Sequence, residues 1–85
     1  MAGYKIFFKN SVWKDIKSIP DKDLTKILAC IESFGDNPRQ SGSKKLSGQE
    51  KYRLRYGHYR ILYSIQDDEI IIWIVKVGHR KSVYS

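Results

Sequence analysis

The sequence predicts an α+β fold in which a small, mostly antiparallel sheet is covered on one face by two N-terminal helices. The first half of the chain reads as one strand-like segment and two amphipathic segments. The second half reads as three strand-like segments joined by short turns, so the element order is β-α-α-β-β-β. With 85 residues, of which 41% are hydrophobic, the chain is expected to form a single domain over residues 1–85 with one modest core.

The first strand and the first helix are predicted from residue type and spacing. Tyr4–Phe8 is short and contains isoleucine and aromatic residues, which is typical of a strand. Asn10 or Ser11 is expected to cap the helix that follows, and Pro20 is expected to end it. The apolar residues of this helix recur at helical spacing, and they are Val12, Ile16 and Ile19.

A second helix and a long loop complete the first half. Asp21 is expected to cap this helix, and Gly35 is expected to end it on the C-terminal side. Residues 36–50 are rich in Gly, Ser, Asn and Pro, and we expect them to form a loop. The apolar stripe of the helix consists of Leu24, Ile27, Leu28 and Ile31.

Three strands are expected in the second half, and the turn between the first two fixes their register. The strands are Lys51–Tyr56, Tyr59–Gln66 and Ile70–Val77. The two-residue loop Gly57-His58, with glycine first, suits a type II′ turn. Such a turn places Tyr56 opposite Tyr59 and therefore Arg55 opposite Arg60.

This register places three arginines, Arg53, Arg55 and Arg60, on one face of the hairpin, because side chains alternate along a strand. The opposite face is expected to join the core, and it carries Tyr52, Leu54, Tyr56, Tyr59, Ile61 and Tyr63. Arg55 and Arg60 are like charges directly opposite each other, which destabilises a sheet, and no acidic residue lies within the hairpin strands. Because sites that break a local rule are often functional, this cluster is a candidate site.

The third strand brings further basic residues toward the same end of the sheet. A three-residue turn at Asp67–Glu69 would pair Gln66 with Ile70, and therefore Arg60 with Lys76. A slip of one residue would move Lys76 to the other face. The antiparallel direction returns 78–80 (Gly-His-Arg) to the neighbourhood of Arg60 in either register.

Charge and composition narrow the classes of partner. The net charge is +7, and residues 39–85 hold ten basic against four acidic residues, which favours nucleic acid, then an acidic protein, then an anionic membrane. Because Cys30 is the only cysteine, the chain cannot form an internal disulfide. One cysteine and two histidines are too few for the usual four-ligand zinc site, so we do not expect one. No signal peptide or membrane span is visible, so we expect a cytoplasmic protein. We also expect neither a cofactor nor a metal.

The arginine cluster suggests phosphate chemistry. Guanidinium groups bind phosphates in bidentate fashion, and several of them would stabilise the extra negative charge of a pentacoordinate transition state. With RNA as substrate, its own 2′-OH can act as nucleophile, so no metal, cofactor or protein nucleophile is required. The surrounding lysines are expected to bind RNA or ribosomal phosphates, and they are Lys44, Lys45, Lys51, Lys76 and Lys81. Trp13 and Trp73 are expected in the core or in partner contacts.

The order and spacing of several motifs resemble the RelE branch of the RelE/ParE toxin superfamily over nearly the whole chain. These motifs are 45–48 (Lys-Leu-Ser-Gly), 52–55 (Tyr-Arg-Leu-Arg), 59–63 (Tyr-Arg-Ile-Leu-Tyr), 77–80 (Val-Gly-His-Arg) and 83–84 (Val-Tyr). The resemblance implies a ribosome-dependent endoribonuclease (an mRNA interferase) that cuts mRNA in the A site and inhibits translation. It also implies a type II toxin–antitoxin system, in which a cognate antitoxin protein inhibits the toxin.

The resemblance also implies roles for individual residues. Arg53 and Arg55 match two basic positions, commonly lysines, that contact the scissile phosphate and are implicated in proton transfer. Arg60 matches the arginine that stabilises the transition state, and Arg80 matches the arginine after the last strand. Tyr84 matches the C-terminal tyrosine that orients the substrate base or assists the nucleophile.

One departure from the family pattern affects acid–base chemistry. Because arginine is a poor proton donor or acceptor, the arginines at 53 and 55 leave His79 or Tyr84 as a possible acid or base. Two alternatives remain open at this point. One is a ParE-like poison of DNA gyrase with the same fold, and the other is a non-catalytic module that blocks translation by binding the ribosome or RNA.

Overall fold

A computed structural model describes residues 3–46 and 51–79 of the chain. It contains two helices and a five-stranded mixed sheet, which confirms the expected α+β class. The elements are β1 (Lys5–Phe8), α1 (Asn10–Lys17), α2 (Asp21–Ser33), β2 (Ser43–Lys45), β3 (Lys51–Tyr56), β4 (Tyr59–Gln66) and β5 (Ile71–His79). The strand order is β1-β5-β4-β3-β2, with β1 parallel to β5 and every other pair antiparallel. Neither of these helices is long and apolar enough to cross a membrane.

The fifth strand, β2, lies in the segment expected to be a loop. Its three residues pair with β3, with Lys44 opposite Arg53 and Lys45 opposite Tyr52. A strand this short, with two lysines in three residues, has no hydrophobic alternation from which it could be recognised. Lysines on a short edge strand also discourage pairing with another chain.

The core lies between the two helices and one face of the sheet. Tyr52, Leu54, Ile61 and Tyr63 are buried there, as the hairpin register predicted, whereas Tyr56 on the same face is exposed. The hydroxyl of Tyr63 donates a hydrogen bond of 2.6 Å to the carbonyl of Pro38. The helices contribute Val12, Ile19, Ile27, Ile31 and Phe34, and β4 and β5 add Ile65, Ile72, Ile74 and Val77.

The helices begin differently from the expectation. Lys9 and Pro20 occupy the two N-cap positions, and neither helix has a side-chain cap. Pro20 therefore lies at the start of α2, where its missing N–H removes no helical hydrogen bond. It does not end α1, which already ends at Lys17. Asp21 lies in the first turn of α2 with Asp23, where carboxylates interact favourably with the positive end of the helix dipole.

The β3–β4 hairpin has the predicted register. Tyr56 pairs with Tyr59, Arg55 with Arg60 and Leu54 with Ile61. Gly57 has φ +61°, a left-handed conformation that glycine adopts without steric cost, which agrees with the predicted turn.

The predicted register between β4 and β5 is wrong. The turn contains four residues, Asp67 to Ile70, so that Gln66 pairs with Ile71. A bulge then separates the pair Tyr63–Ile74 from the pair Leu62–Lys76 and leaves Val75 as an extra residue. Arg60 consequently lies opposite Gly78 and not opposite Lys76.

A polar network holds the β4–β5 turn against the rest of the domain. Arg39 donates two hydrogen bonds to the carboxylate of Asp67, at 3.1 and 2.7 Å, and one of 3.0 Å to the hydroxyl of Tyr52. Tyr4 donates a hydrogen bond of 2.6 Å to the same carboxylate. These donors, Arg39 first, lower the pKa of Asp67 to about 2. The network therefore links the loop after α2, the start of β1 and the turn before β5.

Candidate active site

Two arginines define the candidate site at the hairpin end of the sheet. Arg55 and Arg60 are direct partners across β3 and β4, and Arg53 lies one residue pair away on the same face. This is the face turned away from the helices, and we call it the outer face. Arg60 is only 5% exposed, whereas Arg53 is half-buried and Arg55 is exposed. The site thus combines a buried guanidinium with accessible ones, and burial strengthens electrostatic attraction for an anion.

Position 78, directly beside Arg60 in the sheet, is a glycine. Gly78 is the β5 partner of Arg60, as Arg55 is its β3 partner. One neighbour of Arg60 on the outer face is therefore a second guanidinium, and the other has no side chain.

The outer face carries positive charge throughout the part of the sheet that the structure describes. The strand registers place no acidic side chain on it within the described strands. Its basic residues are Lys5, Lys44, Lys51, Arg53, Arg55, Arg60 and Lys76. The acidic residues Asp67, Asp68 and Glu69 lie in the β4–β5 turn, at the opposite end of β4 from Arg60. Such a surface attracts a polyanion toward the arginines.

The lysines expected to bind RNA are divided between the two faces. Lys44 and Lys51 lie on the outer face, whereas Lys45 pairs with Tyr52 and points to the other side. Lys76 lies on the outer face and its ammonium is 3.7 Å from the carboxylate of Asp15 on α1. The same carboxylate accepts a hydrogen bond of 3.3 Å from the backbone N–H of Val77, so α1 supports β5 beyond the end of β1.

His79 does not lie beside the arginines. It pairs with Tyr59, so its side chain shares the helix-side face and not the outer face. Its ring meets the Tyr59 ring edge-on at 5.8 Å and stacks on His58 at 6.2 Å between centroids. Tyr59 donates a hydrogen bond of 2.9 Å to Asp23, which raises the pKa of the Tyr59 hydroxyl. The histidine predicted as an acid or base is thus separated from Arg55 and Arg60 by the sheet.

Three of the predicted residues, Arg80, Lys81 and Tyr84, lie outside the described residues. Among the described residues, no group of three His, Cys, Asp or Glu side chains is arranged to hold a metal ion.

Sequence reasoning missed an aromatic pair on the outer face. Phe7 and Trp73 are β1–β5 partners with ring centroids 5.2 Å apart, and neither lies in the core cluster. Trp13 is also outside the core, with 51% of its surface exposed, and it packs on Phe8. The alternation of Lys5 and Phe7 with Ile6 and Phe8 is a signal that could have identified the outward residues of β1.

Comparison with known proteins identifies the family. The model of a family described as the ParE toxin of the type II toxin–antitoxin system parDE matches residues 6–84. The chain belongs to the RelE/ParE toxin superfamily. It is 32% identical over 86 residues to a putative toxin named RelE1 from Methanocaldococcus jannaschii, with 96% of each chain covered. Similar relatives with RelE names support the RelE branch of this superfamily.

Solved structures of RelE toxins have the same fold. The crystal structure of the toxin–antitoxin complex RelBE2 from Mycobacterium tuberculosis contains a chain that superposes with a TM-score of 0.82 at 25% identity, covering 92% of this chain and 99% of that one. The RelB–RelE complex from Methanococcus jannaschii gives a TM-score of 0.75 at 30% identity, covering 92% and 94%. The chain is therefore a RelE-type toxin of a type II toxin–antitoxin system.

Proposed function

We propose that this RelE-type toxin is an endoribonuclease that cuts mRNA in the A site of the ribosome. The observation that carries the proposal is the direct pairing of Arg55 with Arg60 on an outer face whose described strands present no acidic side chain. Like charges directly opposite each other disfavour a sheet, and positions that break such a local rule are often functional. The similarity to RelE toxins supports the same function.

The proposed reaction is transesterification within the RNA strand. The 2′-oxygen attacks the adjacent phosphorus, the bond from phosphorus to the 5′-oxygen breaks, and a 2′,3′-cyclic phosphate remains. The proton of the 2′-OH is removed, and the departing 5′-oxygen gains a proton. Arg60 would bind the phosphate in its buried position, while Arg55 and Arg53 would neutralise the charge that develops on the non-bridging oxygens.

Proton transfer must come from groups other than these arginines. Guanidinium stays protonated throughout the physiological pH range, so Arg53 and Arg55 would act only as electrostatic groups. The family resemblance gives Tyr84, the C-terminal tyrosine, the role of orienting the substrate base or assisting the nucleophile, so Tyr84 is one candidate. His79 remains a weaker candidate because of its position on the helix-side face. Since arginines would supply the positive charge, the proposed reaction needs no metal ion bound by the toxin.

The proposed partners are the ribosome and a cognate antitoxin. Lys44 and Lys51 extend the positive outer face beyond the arginines and suit contact with ribosomal RNA phosphates in the cytoplasm. Solved relatives include complexes of RelE with RelB antitoxins. We expect the antitoxin of this toxin to present an acidic or amphipathic helical segment to the basic sheet or to the helices. Its association rate should fall as salt is raised.

Primer extension on a defined mRNA in programmed ribosomes tests the proposal. The purified toxin should produce a cut within the A-site codon, and the same mRNA without ribosomes should stay intact. Because the matching family model carries the ParE name, a parallel assay should measure DNA cleavage by gyrase. Gyrase-dependent DNA breaks with intact mRNA would replace the proposal by gyrase poisoning, and arrested translation with intact mRNA would replace it by a non-cleaving block.

A further inference from the structure

An exposed aromatic patch lies on the outer face, away from the arginines. We define it as Phe7, Trp73 and Lys9. Phe7 is 41% exposed, and its ring is tilted by 33° against that of Trp73. The ammonium of Lys9 lies 4.4 Å from the centroid of the Trp73 ring, a cation–π contact. The patch therefore offers an accessible ring, a second ring behind it and a positive charge beside both.

The patch and the candidate active site share one surface. Trp73 is the partner of Ser64, which follows Arg60 by four residues on β4. At about 3.4 Å per residue, the two rows are about 14 Å apart along the strand. The row between them contains Leu62 with Arg53 and, on β2, Lys44. No acidic side chain interrupts this path within the described strands.

We propose that the aromatic patch stacks a base of single-stranded RNA whose backbone follows the basic outer face to the candidate active site. Aromatic side chains that hold bases, next to a basic groove that follows the backbone, are the usual means of binding single strands. Because Lys9 covers one face of Trp73, Phe7 presents the ring on which the base stacks. This inference rests on the proposed function for the identity of its ligand.

The charges around the patch favour RNA over other occupants. A second copy of the chain would bring its own Lys5 and Lys9 against the same lysines, and such like-charge contacts oppose association. Two rings also form a much smaller apolar surface than the roughly 800 Å² per partner of a stable protein interface. A stacked base needs only one ring face and a nearby cation for its phosphate.

Tryptophan fluorescence provides the test. In a Trp13→Phe background, Trp73 is the remaining tryptophan. The probes are a short single-stranded RNA made uncleavable by 2′-O-methylation and an abasic strand with the same phosphates. We expect saturable fluorescence quenching by the base-containing strand and weaker binding of the abasic one. Phe7→Ala should weaken binding of the base-containing strand by about 5- to 100-fold, the effect of losing one stacked base.

Two control variants separate stacking from loss of fold. Phe7→Tyr keeps the ring and should retain the affinity, while Leu28→Ala, which removes an exposed apolar side chain on α2, should leave binding unchanged. Equal binding of both strands, or an unchanged affinity of Phe7→Ala for the RNA, would overturn the inference. Loss of antitoxin binding by Phe7→Ala with unchanged RNA binding would overturn it in favour of a protein-docking site. The binding assay uses no ribosomes and is therefore independent of the cleavage assay. If the base-containing strand quenches the fluorescence but the toxin cuts no mRNA on ribosomes, the proposed function fails while the RNA-stacking site stands.

Discussion

Arg55 and Arg60 face each other directly across the β3–β4 hairpin, on the face of the sheet that the helices do not cover. The type II′ turn at Gly57 fixes this pairing, and Gly78 completes the row beside Arg60. We propose that these two guanidinium groups bind one phosphate, whose negative charge would offset their repulsion. The same pair therefore links the stability of the fold to its proposed chemistry.

Removing one member of the pair should stabilise the protein and reduce its activity. Arg55→Thr relieves the like-charge contact and adds a strand-forming residue, so the free energy of unfolding should rise by about 0.2–1 kcal/mol. Chemical denaturation measures this change. Arg55→Lys keeps the repulsion and should show no such gain, and a loss of stability in Arg55→Thr would contradict the expected repulsion.

Arg60→Ala should lower the rate of mRNA cleavage by about 10²–10³-fold, the usual effect of removing one preorganised group that stabilises a developing anion. Single-turnover cleavage on programmed ribosomes measures the rate. Arg60→Lys keeps the charge but loses the bidentate geometry, so it should recover only part of the activity. The control Lys22→Ala removes one exposed positive charge from α2 and should cut at the normal rate. Normal cleavage by Arg60→Ala would remove this residue from the site.

The Asp67 network should make stability depend on acid pH. Hydrogen bonds from Arg39 and then Tyr4 lower the pKa of Asp67 to about 2, below its ordinary value of 3.8. Because the pKa of Asp67 is depressed in the folded state, its ionised carboxylate stabilises the fold. This contribution to the free energy of unfolding is complete above pH 3.8 and is lost as the pH falls through about 2. As the pH is lowered between these two values, the urea concentration at the unfolding midpoint should fall less in Asp67→Asn than in the natural protein. Asp68→Asn is the control, and an identical acid response in both variants would argue against the network.

Ile70 is a source of strain in the β4–β5 turn. It has φ +56°, which is unusual for a β-branched residue, and its side chain is 47% exposed. Ile70→Asn should relieve part of a backbone cost of about 1–2 kcal/mol while losing little buried surface. We therefore expect a higher midpoint of thermal unfolding. Ile71→Asn, at a strand position paired with β1, should lower the midpoint, and a lower midpoint for Ile70→Asn would show that the left-handed conformation carries no net cost.

The hairpin could be predicted from the sequence because its determinants are local. A two-residue turn with glycine first permits only one register, and that register alone placed Arg55 opposite Arg60. The alternation of polar and apolar residues then identified the buried face through Leu54 and Ile61. Both inferences depend on neighbouring residues, so no knowledge of the rest of the fold was needed.

The pairing of β4 with β5 could not be predicted because its determinants are not local. Ile70 adopts a conformation that its residue type disfavours, and it lengthens the turn by one residue. The bulge at Val75 then shifts the register again, so Lys76 lies opposite Leu62. The two shifts together amount to two residues, so Lys76 keeps its face, and His79 lies opposite Tyr59 on the helix-side face, away from the arginines. The aromatic pair Phe7–Trp73 was missed because the parallel pairing of β1 with β5 joins residues far apart in sequence.

The role of the RNA 2′-OH can be tested by changing one atom of the substrate. Ribosomes are programmed with an mRNA that carries a single 2′-deoxy nucleotide immediately 5′ of the cut, and the unmodified mRNA serves as control. The toxin should cut the control within the A-site codon and leave the deoxy mRNA intact at that position. Equal cutting of both mRNAs would contradict cleavage by the arginine-stabilised attack of the 2′-OH.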